Sequence, residues 1–586
     1  MGYTPKYTNL TTLLQSSVEQ FSHKPLFGTR RPDGWHWTTY GEFGTLVDHA
    51  RSAFVTLGVE RGDRIAAIAN NRLEWAVAAH AAYSMGAVFV PMYEAQLDKE
   101  WAYILTDSAS KVCLAANRGI QERLESLRAD IPSLESIVTF DGGEFDGLLE
   151  AAAAKPEAPA KIADEDIATY IYTSGTTGNP KGVMLTHFSM AANVSALLEI
   201  SPLEGEERAL SFLPWAHVFG GTVELNSIIA YGGSTAICDD TTKLLDYLPE
   251  VRPTNMFAVP RIWNRIYDGV QKLVATKPGI VQSIFANGMS ARSKLKRGEP
   301  LTFGEKISLP LAEKLVFSKI VDRFGGRLKF AFSGAAALSR DVAEFIDNLG
   351  IQVYEGYGMT ESCGGTTGNR PGACKLGSVG KPFPGVEVKI DENAEGAGPG
   401  EGEILIYGTG VMVGYHNLED VTKETLTEDG GLRSGDLGRL DDEGFLYITG
   451  RVKELYKLEN GKYVAPAPLE ERVQLAPHIA QCIVYGSDHP HNVALVIPDM
   501  EGLRGWAKGQ GIGGGDDAIL TNAKTKAMIM GEVDAQSGEF KGFERIRDII
   551  LDGEELSPDN GMLTPTLKVK RRVVMEKYGQ RLKALY

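Results

Sequence analysis

The sequence predicts an α/β protein of several sub-domains, in which a large N-terminal region with parallel-type sheets packed by helices is followed by a smaller α/β unit. Three observations carry this. The chain has 586 residues, and since domains typically hold about 100 to 200, one core cannot enclose it. Through the first half, short apolar runs alternate with stretches of helical spacing, the order that builds strand–helix–strand units. After Gly450 the composition resets to a stretch of about 130 residues, enough for an independent domain. The expected domains are 1–450 and 451–586.

Composition narrows the class. With 43% hydrophobic and 23% charged residues the chain has the make-up of a soluble globular protein. A formal net charge of −16 argues against nucleic acid as the main partner, because a phosphate backbone selects basic faces. An anionic substrate then has to be met by local charge. A membrane surface stays open as a peripheral partner, since a small basic patch can act alone. Cys113, Cys238, Cys363, Cys374 and Cys482 are odd in number and show no C-x-x-C spacing. Neither a disulfide framework nor a zinc site is expected, and the default setting is reducing and cytoplasmic. The first residues show no basic-then-apolar secretion pattern, and Lys6 spoils a myristoylation pattern. Oligomeric state is not legible.

Taken in order, the run Trp35 to Phe43 opens with aromatic residues that suit a strand, and Thr39 with Glu42 forms a capping-box pattern for the helix after it. Arg64 to Asn70 reads as a short apolar strand. The longest apolar region, Trp75 to Met92, is broken by His80, Ser84, Gly86 and Pro91. It reads as a buried helix, Ala76 to Tyr83, running into a buried strand, Ala87 to Val90, and not as a membrane span. Lys111 to Ala115 and Ser136 to Phe140 continue the alternation, and Ala151 to Pro159 reads as a solvated connector.

The most informative stretch, Tyr172 to His187, follows the β-prone run Ile167 to Tyr172. It sets Thr173, Ser174, Thr176 and Thr177 among Gly175, Gly178 and Gly182, with Lys181 close behind. Glycines let backbone N–H groups approach a bulky anion, hydroxyls donate to phosphate oxygens, and lysine adds a point charge. This is a phosphate-handling loop but not a Walker A loop, because Asn179 and Pro180 separate Gly178 from Lys181. The whole stretch resembles the signature of the adenylate-forming superfamily, which comprises acyl-CoA synthetases, luciferases and the adenylation domains of peptide synthetases.

In Ser211 to Gly220 the lone His217 among apolar residues reads, by itself, as a core histidine. The resemblance implies instead that His217 lies against an acyl substrate, with Trp215 and Phe219 flanking an acyl tunnel. Ala216 departs from the aromatic residue many relatives carry there. From Arg265 to Lys329 runs a long segment with a basic stretch, Arg292 to Arg297, and apolar residues at helical spacing from Leu315 to Phe324. Two readings stand: a helical excursion with a solvated charged face, or an entrance for a greasy tail that touches anionic lipid. Such a segment resembles the long-chain fatty acyl-CoA synthetases.

Phe330 to Ala337 reads as a strand entering a small-residue turn, where Gly334 and Ala335 could carry a flat base on the backbone. Val353 to Ser362 is similar to the superfamily's adenine and metal motif. The resemblance implies nucleotide contacts from Glu355, Gly356, Tyr357 and Gly358, a phosphate contact from Thr360, and a Mg²⁺ ligand in Glu361. It implies further that Asp436 and Arg451 meet the ribose, that Lys453 is a hinge, and that Gly461 and Lys462 belong to the CoA thiol site. Asn560 to Arg572 resembles the catalytic-lysine motif in its long-chain form. Leu567 stands where glycine is common, which leaves Lys568 and Lys570 as alternatives, with Lys568 preferred. Lys570, Arg571 and Arg572 read as a basic solvated tail or a contact with CoA phosphates.

The family's fold ends in a small mobile C-terminal domain. The resemblance implies ATP-dependent conversion of a long-chain fatty acid to acyl-AMP with release of pyrophosphate, then transfer to CoA, with Mg²⁺ as cofactor. Adenylation for a carrier-protein thiol and a lipid-uptake role without catalysis are the alternatives.

Overall fold

A computed structural model describes residues 2–173, 179–203, 205–336, 338–395, 397–564 and 568–586. The chain forms two compact units, one comprising the chain up to Val388 together with Ile406–Arg433, the other Lys389–Leu405 together with Ser434–Tyr586.

The larger unit holds a seven-stranded sheet in the order Gly414–Tyr415, Lys181–Thr186, Ile167–Thr173, Val88–Met92, Arg64–Ile68, Val112–Ala115, Ser136–Thr139. Its last five strands are parallel, as the alternation of strands and helices predicts. The first two pairings, Gly414–Tyr415 with Lys181–Thr186 and Lys181–Thr186 with Ile167–Thr173, are antiparallel. The connection between Thr173 and Lys181 is too short for a crossover helix, so the chain can only turn back on itself. The expected apolar helix runs over Leu73–Met85 and stops at Gly86, which takes the left-handed conformation with φ 73°. Trp75 packs edge-on against Phe89 at 5.0 Å, joining this helix to the sheet.

A second sheet runs Gly34–Thr39, Pro25–Arg31, Ser234–Ile237, Arg208–Ser211, and a third runs Asn255–Ala258, Phe330–Ser333, Gln352–Tyr357, Thr367–Gly368, Lys381–Pro382. The Thr39–Glu42 capping box is formed. One expectation needs correcting: Ala151 and Ala152 close the helix Glu144–Ala152 and are not part of the connector, in keeping with alanine's helix propensity. The helical spacing of Leu315–Phe324 is realised as a π-helical turn, Glu313–Phe317, followed by the helix Ser318–Arg323.

In the smaller unit the sheet Ile479–Tyr485, Asn492–Pro498, Ile546–Leu551 has an apolar core on each face. Leu469, Val473, Ile529 and Val533 cover one side. Val574, Tyr578 and Leu582 of the helix Arg571–Lys583 cover the other. Among the described residues no helix is long and apolar enough to cross a membrane.

Candidate active site

Of the phosphate loop, Ser174, Gly175, Thr176, Thr177 and Gly178 lie outside the described residues, whereas both shoulders are on view. The strands Ile167–Thr173 and Lys181–Thr186 pair so that Thr173 faces Lys181 and Tyr172 faces Gly182. A side chain at Gly182 would sit 2.9 Å from the Tyr172 ring, so only glycine lets that ring cross the hairpin. The Tyr172 hydroxyl donates to Asp107 Oδ2 at 2.6 Å, and the Asp107 carbonyl accepts from His416 Nε2 at 3.0 Å. Burial, with Asp107 beside it, pushes the Tyr172 hydroxyl pKa far up, so it remains a donor. The shoulders of the loop are thereby fixed from below.

At the end of the hairpin, Lys181 Nζ stands 4.9 Å from the centre of the Tyr415 ring. Tyr415 pairs with Val183 across the sheet, and its hydroxyl donates to Glu361 Oε1 at 2.8 Å. The Met412 N–H donates to the Glu361 carbonyl at 2.9 Å, so both ends of this residue are held by one segment. Burial and Glu361 together raise the Tyr415 hydroxyl pKa far above its ordinary value, and it keeps its proton. Lys181, Tyr415 and the buried Glu361 form one constellation. The sequence reading missed Tyr415; the run Gly414-Tyr415-His416-Asn417, a glycine-led aromatic turn, was the available signal.

Glu361 sits in a short 3₁₀ turn, Thr360–Ser362, and Thr360 is buried beside it. Gly358 is indispensable to this turn, since a side chain there would meet the Gly364 carbonyl oxygen at 2.4 Å. Tyr357 pairs with Thr367 and Gly356 with Gly368 at the end of the strand. Glu355, buried, pairs with Ser333 on the neighbouring strand. The chain leaves that strand through Gly334 and Ala335, and Ala335 takes a left-handed φ of 70°, a conformation costly to a residue with a Cβ. A side chain at Gly334 would touch the Phe219 ring at 3.4 Å and lie 3.6 Å from the Gly356 carbonyl oxygen. Gly334, Gly356 and Phe219 therefore meet at one point.

His217 is half-buried, and its Nδ1 accepts from the Phe219 N–H at 3.2 Å, which leaves the ring proton on Nε2. Gly220 and Gly221 permit the fold-back after it: side chains there would lie 2.3 Å from the Pro214 oxygen and 2.5 Å from the Trp215 oxygen. The π-helical turn Phe219–Leu225 follows. Trp215 is buried among Phe27 and Trp75, with ring centres 5.8 and 5.7 Å away, and its Nε1 donates to Ser211 Oγ at 2.9 Å.

Within the smaller unit, Arg451 Nε contacts the buried Asp436 Oδ1 at 2.9 Å, the two facing each other across a hairpin. Lys453 follows in the turn Val452–Glu454. Gly461, with φ 80°, makes the bend between Tyr456–Lys457 and Tyr463–Val464, and Lys462 Nζ stands 4.6 Å from the Phe543 ring. Lys568 is exposed, its backbone pinned by the Thr564 N–H donating to the Lys568 carbonyl at 2.8 Å. Pro565, Thr566 and Leu567 lie outside the described residues. Lys570 caps the helix Arg571–Lys583. Arg571 departs from the solvated tail expected of it: its guanidinium meets Glu470 at 2.5 Å and Glu454 at 3.9 Å in a partly buried cluster. Arg572 stays exposed.

Among the described residues no three His, Cys, Asp or Glu side chains come together as a metal cage. Glu361 offers a hard oxygen donor. That fits Mg²⁺, an ion commonly bound by one or two carboxylates, with phosphate and water filling its remaining positions.

Two family matches cover most of the chain, AMP-binding enzyme over residues 14–416 and AMP-binding enzyme C-terminal domain over residues 454–586. The chain belongs to the AMP-binding enzymes, the adenylate-forming class. Its relatives stand among the long-chain acyl-CoA synthetases. It is 32% identical over 619 residues to long chain acyl-CoA synthetase 6, peroxisomal, of Arabidopsis thaliana, covering 99% of this chain and 87% of the relative. It is 33% identical over 573 residues to the long-chain-fatty-acid–CoA ligase FadD15 of Mycobacterium bovis, covering 94% of this chain and 92% of that one. In fold it is similar to the adenylation domain of a carboxylate reductase from Mycobacterium chelonae, with a TM-score of 0.80 at 23% identity over 100% of this chain and 92% of that one.

Proposed function

We propose that the protein is a long-chain fatty acid–CoA ligase that makes acyl-AMP from ATP and then acyl-CoA. The observation that carries the reading is the constellation of Lys181, Tyr415 and Glu361 at the foot of a hydroxyl- and glycine-rich hairpin loop. A carboxylate is a poor electrophile, and joining it to AMP gives it a leaving group. In the first half-reaction the fatty carboxylate attacks the α-phosphorus of ATP in line and pyrophosphate departs. The work is electrostatic, because two anions must be brought together while charge moves onto pyrophosphate.

Residues Thr173 to Lys181 hold the phosphates through N–H groups, hydroxyls and one ammonium. Thr360 donates to the α-phosphate, and Tyr357 lies on the adenine beside Gly334, Ala335 and Gly356. Asp436 and Arg451 hold the ribose. Glu361, oriented by the Tyr415 hydroxyl, would hold Mg²⁺, which supplies charge neutralisation to the phosphates when bound. His217 directs its Nε2 proton to the acyl group, with Phe219 alongside. Lys568 neutralises the meeting of carboxylate and α-phosphate, and its exposed position suits a group that must approach and withdraw. In the second half-reaction the chain beyond Lys453 turns about that residue, Lys568 leaves, and the Gly461–Lys462 bend meets the CoA thiol, a rearrangement of the kind that gates turnover in many enzymes.

A cytoplasmic location with peripheral contact to membrane lipid belongs to the same proposal, since long fatty acids partition into bilayers. Pyrophosphate release that depends on added fatty acid, followed by acyl-CoA formation, tests the reading. Rates across saturated acids of increasing length, with an aromatic acid as control, set the substrate range. Pyrophosphate release with no acyl-CoA product would point to another thiol acceptor.

A further inference from the structure

Large apolar side chains left on a protein surface are normally scattered, and a contiguous run marks an interaction site. Here four fall on one helical rod: Phe303 is 81% exposed, Ile307 52%, Leu311 42% and Leu315 47%. Their constant spacing of four runs through the helix Phe303–Ala312 into the π-helical turn Glu313–Phe317, so they share one side of it. Leu309, Ala312, Val316 and Phe317 turn inward instead. The rod is pinned at its start by a capping box between Thr302 and Glu305, and Glu305 also takes Lys294 at 2.8 Å and Ser290 at 3.0 Å. The exposure of the stripe is therefore built into the packing.

Charge beside the stripe is mainly basic, with one exposed carboxylate, Asp322, at its far end. Lys306, Lys314 and Lys319 are exposed along it and make no ion pair among the described residues. Glu313 and Glu305, the carboxylates within Phe303–Phe317, are engaged by Arg292 and Lys294. The basic stretch Arg292–Arg297 is neutralised from within: Arg292 pairs with Glu313, Lys294 with Glu305, Lys296 with Asp347 and Arg297 with Glu299.

We propose that this stripe docks the protein on an anionic lipid surface, with Phe303, Ile307, Leu311 and Leu315 at the acyl boundary and the three lysines at the phosphates. An apolar face flanked by lysines is the pattern of interfacial helices. A second copy of the chain fits less well, because a two-fold contact would bring Lys306 and Lys314 of both copies together while Glu305 and Glu313 are already engaged. The proposal deepens the peripheral contact stated above by assigning its surface, and vesicle binding is read without turnover.

The test is sedimentation of the full chain with vesicles of phosphatidylcholine alone or mixed with phosphatidylglycerol. The protein is expected to pellet with the anionic vesicles. Phe303→Ser/Ile307→Ser/Leu311→Ser lowers binding at least about tenfold. Lys306→Gln/Lys314→Gln lowers it about tenfold on anionic vesicles only. All five positions are exposed, and unchanged circular dichroism confirms folding. A triple variant that binds like the parent overturns the assignment of the surface. A parent that pellets with neither vesicle overturns peripheral contact altogether. Lipid-free dimerisation abolished by the triple variant assigns the stripe to a second copy. Absent acyl-CoA synthesis with vesicle binding as described would sink the catalytic reading and leave this one standing.

Discussion

Glu361 and Lys568, the two charges assigned most of the chemistry, sit in opposite surroundings. Glu361 is buried, its carboxylate held by Tyr415 and its carbonyl by Met412, in a turn that no side chain at Gly358 could enter. Lys568 is exposed on a segment tied down through its backbone. The first arrangement is preorganised, which suits the proposed stabilisation of charge as it moves onto the departing pyrophosphate. The second suits a charge needed for one half-reaction only. The difference teaches that the proposed chemistry draws on one charge locked in place by its neighbours and another left exposed to solvent.

The sharpest way to break this contrast is Lys568→Ala. It should cost about 3 to 4 kcal/mol in adenylate formation, several hundredfold in rate, while thiolysis of supplied acyl-AMP proceeds nearly unchanged. Equal loss in both half-reactions would mean that Lys568 is not a withdrawn group. The same measurement on Lys570→Ala decides between the two lysines.

Tyr415→Phe comes next. It keeps the ring under Lys181 and removes the donor to Glu361, so the loss should be about 1 to 3 kcal/mol, seen as a raised Mg²⁺ requirement and weaker ATP binding by calorimetry. Tyr415→Leu should cost about 1 kcal/mol more through the lost ring contact with Lys181. Identical behaviour of the two variants would show that the ring contributes nothing.

The buried histidines of the larger unit add a pH dependence. Burial lowers His80 to about 3 and His187 to about 4. Both stay neutral in the folded state, while the unfolded chain takes up their protons near pH ~6.5. Stability conferred by the neutral form is therefore complete above that pH and is lost as pH falls toward 4, at about 1.4 kcal/mol per pH unit for each histidine. Urea melts of His80→Gln between pH 7 and 5 should show a shallower slope than the parent, and an unchanged slope would contradict the assignment. The smallest effect is reserved for Arg572→Ala, which removes an exposed pair with Glu576 and should change stability by less than about 0.5 kcal/mol in thermal melts.

Much of this was legible where the signal is local. The Thr39–Glu42 capping box, the strand from Arg64, the helix ending at Gly86 and the tight turn at Ala335 all follow from neighbours within a few residues. What escaped depends on partners far apart in the chain. Tyr415 lies 54 residues from Glu361 and reaches it only because its strand pairs with the returning arm of the loop hairpin. That arm runs antiparallel because the loop is short, a constraint that overrides the parallel pattern of the strands beside it. Arg571 looked like one more tail cation, and its pairing with Glu470 depends on a residue 101 positions away. Trp215 was expected to flank an acyl tunnel, and its neighbours Phe27 and Trp75 come from elements read separately.

Oxygen-18 in both carboxylate oxygens of a long-chain fatty acid gives the most direct test of attack on the α-phosphorus. With ATP, Mg²⁺ and CoA, one labelled oxygen should appear in the phosphate of the released AMP, the other remaining in the acyl-CoA carbonyl. Label in pyrophosphate or orthophosphate, or acyl-CoA formed alongside unlabelled AMP, would contradict the account.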